Sequence, residues 1–407
     1  MKVGVHLYNA APTSGGGLVF CDEVLQSLIK LESRHTFVVF SYLTEQRTRG
    51  ADPKHIRFIS LRPSFWEQTR WKLIRGMART AARMPVIQYW FQMPYANRLK
   101  QAVDDLGIEI MWFADPHYVE VNIPYILTVW DLQHRLQPWF PEVSAKGQWH
   151  ERENMYATAI PRAAAVIIGT EAGREEIVHF YRVPPERVRL IPYPTPGFAL
   201  SASKDNCKEV LTKYHIPKGY LFYPAQFWPH KNHVGLLLAV KILRERHGLV
   251  LPVVFVGSNK GNLRYVRRVV DQLGLSGQVH FLGFVPQDDL VGLYRNAFAL
   301  TYVTFFGPEN LPPLEAFALG CPVIASNVSG AQEQLGDAAL LVEPKDEEQI
   351  ALAIKSLYAD PALRQKLVQR GLKRAGKWTG EDFVKSVFSI LDDFEPVRRC
   401  WSHTEPC

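Results

Sequence analysis

The sequence predicts an α/β protein made of two doubly wound βαβ domains, and three observations carry that prediction. Short β-branched runs alternate with helical stretches, the pattern of a mostly parallel sheet. The alternation breaks at residues 191–203 (IPYPTPGFALSAS), where three prolines and a glycine stand between two organised regions, as in a domain linker. A chain of 407 residues with 47% hydrophobic composition is long for one core and ample for two.

Within the first half, strands are expected at 3–8, 36–41, 109–113, 125–129 and 164–168, with helices at 19–31, 145–160 and 171–180. After the linker the alternation restarts, with strands at 220–223, 252–256, 279–282, 297–303 and 322–326. Helices at 234–246, 263–273, 288–295 and 313–319 separate them. Three further helices, 347–358, 361–375 and 381–394, close the chain. The expected domains are 1–195 and 196–378, followed by a helix and tail over 379–407. Open α/β sheets bind ligands outside the carboxyl ends of their strands, so the loops there are the first place to search for a site.

The net charge of +7 favours anionic partners without choosing among them. Five cysteines, Cys21, Cys207, Cys321, Cys400 and Cys407, are scattered and form no C-x-x-C pair, which points away from a disulfide framework or zinc site. No run reaches the roughly 18 apolar residues that cross a bilayer. The expected location is the cytoplasm, either soluble or peripheral at the inner face of the membrane.

Three strand-to-helix loops suit a phosphorylated ligand. Residues 13–17 (TSGGG) let backbone N–H groups approach an anion beside a helix start, although the spacing is not G-x-G-x-x-G and a flexible turn is the other reading. Residues 225–233 (AQFWPHKNH) place Lys231 just before a helix, where an ammonium and the helix dipole can act together on a diphosphate; a solvated surface lysine is the alternative. Residues 307–315 (GPENLPPLE) open a helix with Pro312 and Pro313, leaving the N–H groups around Asn310 and Leu311 for a ligand or water. Glu315 follows in the first turn, suited either to the helix dipole or to a vicinal diol such as ribose.

From this third loop onward the sequence resembles the retaining glycosyltransferase family 4, which has the GT-B fold of two Rossmann-like domains facing a cleft. The likeness rests on NLPPLEAFALGCPVIASNVSGAQEQLGDAALLVEP, on AQFWPHKNH, and on FVGSNKGNLRYVRRVVDQLGL with VHFLGFVPQDDLVGLYRNA. The resemblance implies that Lys231 binds the donor diphosphate and Glu315 the ribose hydroxyls. It implies that the backbone at Asn310 and Leu311 meets the sugar or β-phosphate, and that Phe284 and Val285 edge the base. Gly16 and Gly17 would face the diphosphate from the other domain, and the last helix would cross back to the N-terminal domain.

The departures fall where the sugar would react. The family's Glu-x7-Glu pair would begin at 307, which is Gly307 here, with Glu309 the nearest acid. A common arginine is replaced by Gln226, and a His-Asp pair reads Trp130-Asp131. A subset of the family carries this G-P-x-N-L-P-P-L-E variant, which implies altered donor selection. Asp131, Glu309 and His134 are the candidate catalytic residues.

The resemblance implies transfer of a hexose-type sugar, with retention, from a nucleotide-diphosphate sugar to a saccharide or lipid-linked saccharide. The nucleotide sugar is a co-substrate, and no cofactor or metal is expected: there is no D-x-D pair near the donor loops, and Asp288-Asp289 reads as a helix start. Residues 62–100 hold eight basic residues, one acid and seven aromatics. Lys72, Arg75, Arg79 and Arg83 share a helix face flanked by Trp66, Trp71 and Trp90, suiting either an anionic membrane surface or a solvated helix. Two other functions stay open: a nucleotide-sugar-binding scaffold without transfer, and an epimerase or hydrolase on the same fold. No nucleic-acid-binding module is present.

Overall fold

A computed structural model describes residues 1–7, 15–41, 55–61, 85–203 and 209–401, without the side chains of 85–94. The basic segment at 62–84, with the proposed membrane face, lies outside the described residues, as do the first two residues of the loop at 13–17.

The first sheet contains β1 (Lys2–His6), β2 (Thr36–Ser41), β3 (Ile56–Ser60), β4 (Ile110–Phe113), β5 (Tyr125–Thr128), β6 (Ala165–Ile168) and β7 (Val188–Leu190). Their order is β3-β2-β1-β4-β5-β6-β7, and every pairing is parallel. The second holds β8 (Leu221–Pro224), β9 (Val253–Val256), β10 (Val279–Gly283), β11 (Ala299–Tyr302), β12 (Val323–Ser326) and β13 (Ala339–Val342). It runs β10-β9-β8-β11-β12-β13, again parallel throughout. The architecture is therefore the doubly wound pair expected from the alternation.

Three strands escaped the sequence reading, namely β3, β7 and β13, and each is the edge of its sheet. Edge strands face a neighbour on one side only, so they are short and partly exposed and lack the continuous apolar run of a central strand. The residues of β4, β5, β6, β9, β11 and β12 are all buried, whereas β3 buries only Ile56 fully and β7 is three residues long. A helix at Pro85–Asp105 was also unforeseen.

Residues 191–203 are strapped down at several points. Ile191 N–H donates to Ile168 O, Thr195 N–H to Trp378 O, and Gly197 N–H to the Glu23 carboxylate, and a short helix forms at Gly197–Leu200. The last helix, Gly380–Arg398, starts in a reciprocal capping box between Thr379 and Asp382. It returns to the first sheet: Phe383 meets Phe20 edge-on at 5.3 Å and Phe388 stacks on Phe37 at 5.4 Å. Gly380 permits this approach, since a Cβ there would lie 2.3 Å from Ser27 Oγ. Among the described residues no helix is long and apolar enough to cross a membrane.

Strand order reverses beside β1 and β4 in one sheet and beside β8 and β11 in the other. The glycine turn follows β1, and the lysine loop follows β8. Both phosphate-type loops thus stand at switch points, and they face each other.

Candidate functional site

Asn232 fixes the lysine loop. It takes a left-handed φ of 51°, which asparagine tolerates, and its Oδ1 accepts from Gly235 N–H to cap helix His233–His247. Its Nδ2 donates to Val303 O at 2.9 Å and Pro344 O at 2.8 Å, so one buried amide ties the loop to the ends of β11 and β13. Lys231, one residue earlier, extends over the Tyr302 ring at 5.1 Å from its centre, and its Nζ donates to Asn310 Oδ1 at 3.3 Å. The lysine and the GPENLPPLE loop therefore share one site.

Asn310 organises that second loop. Its Nδ2 donates to Gly307 O at 2.8 Å, and its backbone is clamped at N–H and C=O by the Gln334 amide at 3.0 and 3.1 Å. The clamp corrects one expectation: Asn310 N–H already serves Gln334 and is not waiting for a donor. Gly307 has φ +135°, a conformation that side-chain-bearing residues rarely adopt, and a Cβ there would lie 2.6 Å from Asn310 Nδ2. A glutamate at 307 has no room in this loop, so the departure belongs to the whole loop rather than to one position. Behind it lies a cavity of about 10 Å³, lined by Tyr302, Thr304, Gly307, Asn310, Ser326 and Gln334, large enough for one water.

Glu315 is buried and accepts from Tyr294 Oη at 2.6 Å. Burial pushes its carboxyl up to about 7, with the tyrosine hydroxyl acting against the rise. Phe284 is 54% exposed and can offer a ring face to a base. Val285 packs in the core, so only its backbone can border that position, a correction to its expected place at the edge.

From the first domain, Gly15 approaches Gln226 closely enough that a Cβ would lie 3.2 Å from Nε2. Gly16 faces Leu311 Cδ1 (3.7 Å from a Cβ position), and Gly17 lies against Trp130 (2.6 Å). Gln226 accepts from Trp228 Nε1 at 3.0 Å and donates to Ser258 Oγ at 3.2 Å. The glycine turn, Gln226, Leu311 and Trp130 are thus brought together across the cleft.

The three candidate catalytic residues occupy different settings. Asp131 accepts from Arg152 Nη2 at 2.6 Å and from Gln133 N–H at 2.8 Å. Burial opposes its ionisation, but the guanidinium and the amide hold it below the usual carboxylate range. Its charge reaches His230, the residue before Lys231. Glu309 lies in the seam between the domains: its Oε1 accepts from Tyr193 N–H at 2.7 Å, and its Oε2 sits where a side chain on Gly169 would be. Burial lifts it to about 8, despite that N–H, with Glu333 adding to the rise.

His134, the third candidate, is enclosed rather than presented to solvent. It is fully buried in helix Gln133–Leu136, 3.0 Å from Glu153 Oε2 and 3.4 Å from Tyr181 Oη. Burial brings its imidazole down to about 4, with Arg152 adding to the fall. A neutral ring enclosed in the first domain serves packing rather than chemistry.

Sequence reading missed Arg152, Gln334, Tyr294 and Glu142, which aligns the lysine loop by accepting from His230 N–H and pairing with its ring. Tyr294 and Gln334 lie within the quoted motif segments and Arg152 and Glu142 outside them, but each acts through a partner far along the chain. Among the described residues, one group, His35, Asp392 and Glu395, has the spacing of a metal site. Arg34 and the N-terminal ammonium already sit on its carboxylates, so it reads as an ion-pair network.

Two parallel-sheet Rossmann-like domains facing one cleft, tied by a returning helix, define the GT-B fold. Within that fold, residues 209–374 match the family model "Glycosyl transferases group 1". The O-antigen chain mannosyltransferase B of Escherichia coli is 28% identical over 243 residues, 60% of this chain and 64% of that protein. The O-antigen chain mannosyltransferase RfbU of Salmonella typhimurium is 28% identical over 203 residues, 50% and 53% of the two chains. The matches thus span less than two thirds of these relatives. Anabaena HepE, solved with UDP and glucose, superposes with a TM-score of 0.68 at 14% identity, covering 97% of this chain and all of that one. The glycosyltransferase WaaG, involved in lipopolysaccharide biosynthesis, gives 0.67 at 16% identity over 95% and 99%.

Proposed function

We propose that this chain is a retaining glycosyltransferase of the family 4 type, moving a hexose from a nucleotide-diphosphate sugar to a saccharide or lipid-linked saccharide. The observation that carries the reading is the placement of Lys231 and Asn310 over the strand ends of the second sheet, opposite Gly15, Gly16 and Gly17. A diphosphate in that gap meets a fixed ammonium from one side and close-approaching backbone from the other. Fixed cations and dipoles stabilise a departing diphosphate without reorganisation, so the reading needs no metal. Glu315 then receives the ribose hydroxyls and Phe284 borders the base. Asp131, held ionised by Arg152, supplies negative charge near the anomeric carbon.

The relatives' printed names favour mannose as the first donor sugar to test and a polysaccharide as the product class; HepE's ligand favours trying UDP-glucose beside it. Cytoplasmic location with peripheral membrane contact belongs to the same proposal, resting on the basic pattern at 62–100. Replacing Lys72, Arg75 and Arg79 by glutamine should abolish co-sedimentation with anionic vesicles; unchanged co-sedimentation refutes the membrane contact. The transfer reading is tested by incubating the protein with nucleotide-linked mannose or UDP-glucose and mannoside acceptors, in the presence of EDTA. The expected product keeps the donor's anomeric configuration by NMR. An inverted product refutes retention, and activity that requires an added divalent ion refutes metal independence.

A further inference from the structure

Residues 137–142 (QPWFPE) of the first domain are pinned to the lysine loop of the second, yet the tryptophan at their centre stays in solvent. Gln137 Nε2 donates to Phe305 O at 2.9 Å. Phe140 stacks on the Phe305 ring with centres 6.1 Å apart and meets the His230 ring edge-on at 6.2 Å. Glu142 accepts from His230 N–H at 3.1 Å and pairs with its ring. Phe305 N–H donates in turn to His230 O at 2.8 Å, so all three anchors fall on one connected patch beside Lys231. Trp139, between the anchors, is 69% exposed, more than any other large apolar side chain among the described residues.

The backbone that carries it has little freedom left. Pro138 and Pro141 fix φ on either side of the pair, and Phe140 takes the extended φ of −74° and ψ of 133° that a residue before proline prefers. Phe140 N–H closes a turn onto Gln137 O at 3.3 Å, and Phe140 O accepts from the N–H groups of Val143 and Ser144 at 3.1 Å. A lone exposed apolar side chain needs no explanation by itself. This one is held on an immobilised loop at the outer end of a row of rings, Trp139, Phe140 and His230, that leads to Lys231, with the first two centres 6.4 Å apart.

The size of the exposed surface narrows what it can receive. One indole flanked by two exposed prolines offers far less than the roughly 1,000 Å² of a stable protein interface. It fits one flat ring. A pyranose presents C–H bonds on a face and hydroxyls around its edge; the electron-rich indole face attracts the first while the second stay in water. A rigid aromatic provides such contact at little entropic cost.

We propose that Trp139 is the platform for a sugar ring of the saccharide acceptor. This rests on the transferase reading above and adds an acceptor subsite to it. Trp139 reaches His230 only by way of Phe140, so the ring it holds is not the one that receives the hexose but one further along the acceptor.

The test compares wild type, Trp139→Ala and Trp139→Phe with methyl mannoside and mannotriose as acceptors, the matching glucosides being run in parallel. Trp139→Ala should raise the KM of the trisaccharide about fivefold, leave the KM of the monosaccharide and the affinity for nucleoside diphosphate within about twofold, and keep the wild-type melting temperature. Trp139→Phe should recover most of the trisaccharide KM, because a second aromatic ring restores the stacking face. An unchanged trisaccharide KM in Trp139→Ala overturns the assignment, as does an equal rise for both acceptors. Loss of co-sedimentation with anionic vesicles in Trp139→Ala, with the trisaccharide KM unchanged, also overturns it and gives the ring to the membrane. Calorimetric titration of mannotriose into protein saturated with nucleoside diphosphate reads the same contact without turnover: weaker binding in Trp139→Ala is expected, and equal binding refutes the platform. Failure of wild type to release nucleoside diphosphate from any donor overturns the transferase reading instead, and is seen before any variant is made.

Discussion

Lys231 is the residue on which the proposed donor site turns. Its ammonium has one side-chain hydrogen-bond partner, the neutral Asn310 amide, and no carboxylate forms an ion pair with it among the described residues. Lys231→Ala should weaken binding of nucleoside diphosphates by about 1.5–3 kcal/mol, the range for charge-assisted hydrogen bonds, as measured by calorimetry. Unaltered affinity would remove it from the site. Gly307 gives a second test. Because its φ is +135°, Gly307→Glu should not install the missing acid of the Glu-x7-Glu pair; it should cost about 1–3 kcal/mol of stability in denaturant unfolding, the range for strained backbone. Glu309 gives a pH-dependent one. Its folded carboxyl is raised to about 8 from the ordinary 4.5, so the native state keeps a proton that the unfolded state releases. Stability from this group is complete below pH 4.5 and is lost as pH rises through about 8. Glu309→Gln should therefore flatten the fall in melting temperature between about pH 4.5 and 8. A fall as steep as in wild type would contradict the seam environment.

At the scale of elements, strand-and-helix alternation was legible because central strands of parallel sheets are buried on both faces and read as unbroken apolar runs. The edges β3, β7 and β13 were not legible, since a strand with one neighbour needs no such run. The loops proposed to hold the donor could be picked out by glycine, proline and lysine next to helix starts. Their support could not: Gln334, Arg152 and Glu142 are ordinary surface-type residues until the fold places them 24, 21 and 88 positions from their partners. His134 was misread for the same reason, because nothing local reveals that Glu153 and Tyr181 enclose it. Asn232 shows how an element carries chemistry. Asn232→Ala removes a helix cap, a strained-backbone preference and two buried hydrogen bonds together. It should cost about 2–4 kcal/mol of stability from cap and hydrogen-bond terms, and should weaken nucleotide binding although the side chain touches no ligand. Full affinity in a folded Asn232→Ala variant would detach the lysine from this mounting.

On the scale of the whole molecule, the two domains meet along seams of unlike chemistry. One is aromatic with a single histidine: Phe140 stacks on Phe305, Gln137 donates to Phe305 O, and Glu142 grips His230. The other is acidic: Glu309 takes Tyr193 N–H, and Glu333 takes the N–H groups of Glu171 and Ala172, at the start of helix Glu171–Tyr181. A carboxylate from one domain thus caps a helix of the other, an interaction made only while the domains are apposed. The glycine turn and the lysine loop come from different domains, so the proposed donor site is assembled only when the domains are apposed. The central claim is that this cleft captures a nucleotide sugar and passes its hexose on. Its most direct test is mass spectrometry of a reaction holding purified protein, a nucleotide-linked hexose and a panel of glycoside acceptors. The account predicts one added hexose on an acceptor with matching release of nucleoside diphosphate, both lost in Lys231→Ala. Nucleotide sugar that binds and is recovered intact, with every acceptor unmodified, would contradict it.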